Sequence, residues 1–173
     1  MKLTKLFLFL ASISALVISS DGSALAAGSS TANLPVSATV VKACSIRTTA
    51  VAFGNYDPSA SAANDAGVGA VIIRCTPNTA TTIGLGFGQN ASGTQRSMKE
   101  TTSGVGNLLQ YGLFSDSGRT TAWGDGTLSS LVFTPPVKGD NAEYAYSVYG
   151  RIPALQNVPD YAYNDLVLAT VNF

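Results

Sequence analysis

The sequence predicts an all-β sandwich, and three observations carry that reading. Beyond the first two dozen residues, helix signals are almost absent. Short runs with a period of two recur between turn-forming residues, as half-buried strands require. Gly, Thr, Ser, Asn and Tyr are frequent, a composition of strands and tight turns rather than of helices.

The N-terminus reads as a secretory signal. Lys2 and Lys5 form a basic start, residues 6–18 are mainly apolar, and Ser23-Ala24-Leu25-Ala26 supplies an A-x-A pattern of small residues. Cleavage is expected after Ala26, with Ala27 as the alternative. The apolar run is short for a spanning helix of ~20 residues, so no membrane insertion is expected after cleavage. The predicted organisation is a signal peptide over 1–26, an N-terminal extension over 27–43 and one domain over 44–173.

The extension opens with the flexible GSST. It continues as Leu34 to Lys42, LPVSATVVK, an extended run in which Leu34, Val36, Ala38 and Val40 share one face. Two readings stand for this piece: the first strand of the chain's own sandwich, or a strand that inserts into a neighbouring molecule. Further strands are expected at Val51 to Phe53, Val68 to Cys75, Thr81 to Phe87, Leu108 to Phe114, Leu131 to Thr134 and Tyr144 to Arg151. The last is YNDLVLATVNF. There Asp165, Val167, Ala169, Val171 and Phe173 alternate with Leu166, Leu168, Thr170 and Asn172, so one face turns wholly apolar.

Charge excludes some partners. Without Lys2, Lys5 and Asp21, the ten basic and ten acidic residues become eight and nine. That leaves no basic field for nucleic acid and no polybasic patch for a membrane surface. The two cysteines, Cys44 and Cys75, are expected to form a disulfide in an exported chain. Closing that loop stabilises the fold by roughly 3.7 kcal/mol in the chain-entropy model.

The chain has no histidine, so the commonest general base and metal ligand are missing. Asp57, Asp65, Asp116, Asp125, Asp140 and Asp160 all stand beside turn residues, where a short carboxylate caps local backbone groups. Neither GLGFG nor WGDG leads into a helix, so neither is a phosphate loop. No catalytic residues, metal ligands or cofactor are expected. Trp123, within TTAWGDGT, reads as a packing anchor, with a carbohydrate-stacking platform as the alternative.

Four pieces occur in order: VSATVVKACSI, FGNYDPSAS, YGLFSDSGRTTAWGDGT and VYGRIPALQNVPDYAYNDLVLATVNF. Together they resemble the spore coat protein U domain family, which includes secreted subunits of archaic, Csu-type chaperone–usher pili. The resemblance spans essentially the whole chain after the signal. It implies an incomplete immunoglobulin-like β-sandwich completed by a donor strand from another subunit. It implies a pilin that polymerises by donor-strand exchange, in surface attachment and biofilm formation. The implied partners are neighbouring pilin subunits, a periplasmic chaperone and an outer-membrane usher. The implied place is a surface pilus of a Gram-negative bacterium.

By that resemblance Cys44 and Cys75 match the family's cysteine pair. Leu34, Val36, Ala38 and Val40 fall where a donor strand lies. Val167, Ala169, Val171 and Phe173 fall on the C-terminal strand that chaperones grip. The better-known pilins carry their terminal aromatic at the penultimate position, whereas here it is last. The alternatives are a self-contained secreted coat or matrix protein, or a carbohydrate-binding adhesive module.

Overall fold

The computed structural model describes residues 28–173, so the expected signal segment and its cleavage site lie outside the described residues. Eight strands follow in order: β1 (Cys44–Ala52), β2 (Val68–Cys75), β3 (Thr82–Leu85), β4 (Arg96–Glu100), β5 (Leu108–Phe114), β6 (Tyr144–Arg151), β7 (Tyr163–Asn164) and β8 (Ala169–Asn172). They form a six-stranded sheet in the order β1-β2-β6-β5-β4-β7 and a two-stranded sheet of β3 and β8. Every pairing is antiparallel.

Strands β2, β5 and β6 run where their alternation and β-branched or aromatic content place them. Elsewhere the structure departs from the sequence expectation. Leu34 to Lys42 is not a strand; residues 28–43 enter no ladder, and the first strand begins at Cys44. Alternation shows which face of a segment is apolar, but a strand also needs a partner for its N–H and C=O groups. Strand β1 was legible only at its end, near Val51. It lies at the sheet edge with most side chains exposed, so CSIRTTAVA carries little alternation. Strand β4 was missed because RSMKE places Arg96 and Glu100 at buried positions, against the usual pattern. Leu131 to Thr134 is reduced to a single bridge between Phe133 and Ile83. The C-terminal strand is confined to four residues, with β7 a separate short strand before it.

The core lies between the two sheets. Val71, Ile73, Leu109, Tyr111, Leu113 and Val148 come from the large sheet, and Ile83 and Leu85 from the small one. Trp123 is 2% exposed, donates Nε1–H to the Ile83 carbonyl at 2.8 Å, and tilts against Phe133 with ring centroids 5.0 Å apart. It is a packing anchor, and its burial rules out a stacking platform for sugar.

One flank of the sandwich is closed by backbone bonds. Trp123 N–H donates to Leu113 O at 2.9 Å, and Leu85 N–H donates to Gly124 O at 2.8 Å. Ile83 and Phe133 exchange both of their bonds, at 2.8 and 2.9 Å. The segment after Trp123 therefore stitches β5 of the large sheet to β3 of the small one. Arg96 completes the seam. Its buried guanidinium donates to the carbonyls of Leu85, Gly86 and Trp123 at 2.7 to 2.9 Å. Burial lowers its pKa, and a guanidinium tolerates this because its intrinsic pKa is so high.

Candidate functional site: the open flank between β1 and β8

The opposite flank has no such stitching. Strand β1 pairs only with β2, and β8 pairs only with β3. No hydrogen bond joins β1 to β8 among the described residues. Between them runs a groove of about 570 Å³. Thr48 to Phe53 form one wall, Asp165 to Val167 and Ala169 the other, and Val71, Leu85, Leu113 and Val148 line its apolar floor.

The β8 wall presents free backbone. Leu168 O accepts from Gly86 N–H at 2.8 Å, and Thr170 stands opposite Gly84. Backbone groups of successive residues point to opposite sides of an antiparallel strand. Those of Leu168, Thr170 and Asn172 thus face β3, and those of Val167, Ala169 and Val171 face the open flank. The side chains of Val167, Ala169 and Val171 pack partly against the core. Leu166 and Leu168 point outward and are exposed, and Phe173 is 55% exposed.

The β1 wall is shaped by a bulge between Thr49 and Ala52. It leans over Gly69, where an added Cβ would meet Thr49 O at 2.7 Å. Phe53 then lies flat over two glycines, since a Cβ at Gly67 or Gly150 would meet its ring at 2.5 Å. Its ring stands edge-on to Tyr111 at 6.2 Å. At the other end of β1, Cys44 and Cys75 face each other across the ladder and are disulfide-bonded.

A polar latch holds the β8 side in place. Tyr111, on the inward face of β5 between Leu109 and Leu113, donates its hydroxyl to Asp165 Oδ2 at 2.7 Å. Asp165 Oδ1 accepts from the Gln89 N–H at 2.9 Å and from Asn90 Nδ2 at 3.2 Å. Burial, then the hydrogen bond and charge of Asp165, push the Tyr111 hydroxyl well above the ordinary phenol range. Gly88, with φ of 89°, allows the turn and makes room, since a Cβ there would fall 1.9 Å from Asp165 Oδ2. The sequence reading missed this latch. Its one signal was a tyrosine on an apolar face, because a buried phenol needs a partner.

The other aspartates divide. Asp57, Asp116, Asp125 and Asp140 accept bonds from residues two to five positions on, as turn residues do. Asp65 does not. It takes Arg151 side-on at 2.7 and 2.8 Å and lies 3.4 Å from Arg119, tying the loop before β2 to β6. Glu100 accepts from the backbone of Thr102, Ser103 and Gly106 and from the Ser103 hydroxyl. Those donors lower its pKa to about 2. Among the described residues no group of three or more His, Cys, Asp or Glu could hold a metal ion.

Where the sequence placed a donor strand, Leu34, Val36 and Val40 are exposed, at 83 to 87%, and Ala38 is exposed beside them. The compact unit that carries the groove starts at Thr39.

The Spore Coat Protein U domain model matches residues 30–170. This chain belongs to that family. The Spore Coat Protein U chain described here is also 35% identical over 161 residues to Protein U of Myxococcus xanthus, covering 85% of this chain and 87% of the relative. Its fold matches a chain in the CsuC–CsuE chaperone–tip adhesion subunit pre-assembly complex from the archaic chaperone–usher Csu pili of Acinetobacter baumannii. The TM-score is 0.56 at 21% identity, over 78% of this chain. The chain spans about two fifths of the length of that chain, 41%. The all-β fold with one open flank is thus of the incomplete immunoglobulin-like type.

Proposed function

We propose that this chain is a structural pilin of a chaperone–usher pilus that polymerises by donor-strand exchange. The observation that carries the reading is the open flank: two unpaired strand edges with an apolar floor between them. Such a groove is an aggregation hazard until a strand fills it. A strand added there bonds to both edges through its main chain and is read by its alternate side chains. Leu34, Val36, Ala38 and Val40 have the required alternation, and their exposure leaves them free to enter another molecule. Val167, Ala169, Val171 and Phe173 form the wall they meet, and Cys44–Cys75 ties the first strand of the receiving domain to its neighbour. Residues 1–26 direct export, 27–43 donate and 44–173 receive.

The partners are neighbouring subunits and a periplasmic chaperone that fills the groove beforehand. An outer-membrane usher exchanges one for the other. The place of work is a pilus on the surface of a Gram-negative bacterium, and no catalysis is involved. Support comes from the family membership, from the fold shared with a chain of a chaperone–pilus subunit complex, and from the groove itself.

Deleting residues 27–43 tests the reading. The subunit is expected to accumulate with its chaperone but to add no further subunit, so unboiled surface extracts lose their ladder on electrophoresis. Normal ladders from the deletion sink the proposal. A purified full-length chain that is monomeric and stable without chaperone points instead to a self-contained coat protein.

A further inference from the structure

The groove and the leader each carry one charge. Among the residues lining the groove, Asp165 is the only ionisable acid or base apart from tyrosine. Among residues 28–43, Lys42 is the only charged residue. Lys42 shares the parity of Leu34, Val36, Ala38 and Val40, so in an extended strand all five side chains lie on one face. Asp165 likewise shares the parity of Val167, Ala169, Val171 and Phe173. With Lys42 set opposite Asp165 in an antiparallel ladder, Val40 meets Val167, Ala38 meets Ala169, Val36 meets Val171, and Leu34 covers the exposed Phe173.

The backbone agrees with this register. Ala169 and Val171 of β8, and Val167 just before it, are the inward residues whose N–H and C=O face the open flank, so Ala38, Val36 and Val40 would form hydrogen-bonded pairs with them. Pro35, which has no N–H to give, falls at an intervening position whose backbone faces away from β8. Asp165 has room for another donor. A carboxylate offers about four acceptor sites, and Tyr111, Gln89 and Asn90 use three. It has no ion-pair partner within 4 Å among the described residues. The buried cation Arg96 spends its bonds on carbonyls instead.

The same geometry says whose lysine it is. Asp165 shares the groove with Ala52 and Phe53, at the end of β1 away from Cys44. The strand between spans eight residue steps, ~26 Å, and the chain's own Lys42 stands just before Cys44. We propose that the groove takes the leader of a second copy of this chain, antiparallel to β8, in the register that sets Lys42 of the incoming strand against Asp165. This inference rests on the donor-strand reading and adds to it a register and a charge pair that ends the strand.

Paired cysteines in the full-length chain, expressed with its own export and assembly system, test it. Hydrogen-bonded antiparallel partners lie about 5.5 Å apart at Cα, within the span a disulfide bridges. Val36→Cys with Val171→Cys, and Val40→Cys with Val167→Cys, should each give ladders that survive boiling and collapse with reductant. Val36→Cys with Val167→Cys, the pair a parallel strand would bring together, should not. Lys42→Glu should speed dissociation of the unboiled ladder by about tenfold, as loss of an interfacial charge pair acts on the off-rate, while Lys42→Arg keeps it. Absence of ladders from the unmodified chain overturns the donor-strand reading itself. Ladders that cross-link at 36–167, or at neither antiparallel pair, overturn the register alone. A Lys42→Glu ladder that dissociates at the unmodified rate overturns the charge pair.

Discussion

The two flanks of this sandwich use the same materials to opposite ends. On the closed flank, the segment from Trp123 to Phe133 is barely regular, yet it bonds β3 and links it to β5, and Arg96 spans the seam. On the open flank, β1 and β8 are more regular strands, yet neither finds a partner on its outer side. Regularity is thus no guide to completeness. What matters is whether each backbone N–H and C=O has a partner, and on the open flank two rows of them do not. The closed flank holds the domain together, and the open one leaves it needing a strand.

The comparison breaks most visibly at Trp123. Trp123→Ala empties the largest buried side chain and removes its bond to Ile83 O, and should lower stability by roughly 3–5 kcal/mol. The urea midpoint of the full-length chain measures this, and little folded subunit should reach its chaperone. Next comes Tyr111→Phe, which takes a hydrogen bond from a charged acceptor and should remove about 1.5–3 kcal/mol. Its effect should fall on the open flank. Amide exchange at 165–171 should rise well above that at Trp123, and equal loosening of both flanks would contradict the latch.

Acid separates the flanks from the end of β4, where it pairs with β7. Glu100 has its pKa lowered to about 2 against an ordinary 4.5. As pH falls, the unfolded chain therefore takes up this proton first, and proton uptake favours unfolding. The stability Glu100 contributes is complete above about pH 4.5 and is lost as pH falls through about 2. Glu100→Gln should flatten the acid limb of a stability profile in that window and lower the plateau above about pH 4.5. The smallest effect is expected at Arg47, whose ion pair with Glu143 at 2.7 Å is half exposed on both sides. Arg47→Ala should leave the urea midpoint unchanged within error, because exposed pairs contribute little.

Much of the fold was legible. VGAVIIRC, LLQYGLF and YAYSVYGR run as the strands their alternation describes, and ATVN is a strand with Val171 turned inward and Thr170 outward. Strand β4 was not legible, because Arg96 is buried by satisfying three carbonyls that no local pattern reveals. LPVSATVVK was legible as a strand former but not as a strand. Its alternation is real, and residues 28–43 still enter no ladder; among them only Ala43, at the edge of β1, is bonded, to Thr76. The groove floor was unreadable for a related reason, since Leu113 and Val148 come from neighbouring strands of the large sheet and Leu85 from the small sheet packed on it.

The amino-acid sequence by itself determined which faces are apolar, where the turns fall and which two cysteines are available. Those are local properties, set by side-chain type and a period of two. The tertiary structure alone decided which edges stand empty. Side chains project above and below a sheet, whereas hydrogen bonds run within its plane. A pattern of side chains therefore says what a strand like YNDLVLATVNF buries, and only the folded order of strands says that its outer edge is left for a partner.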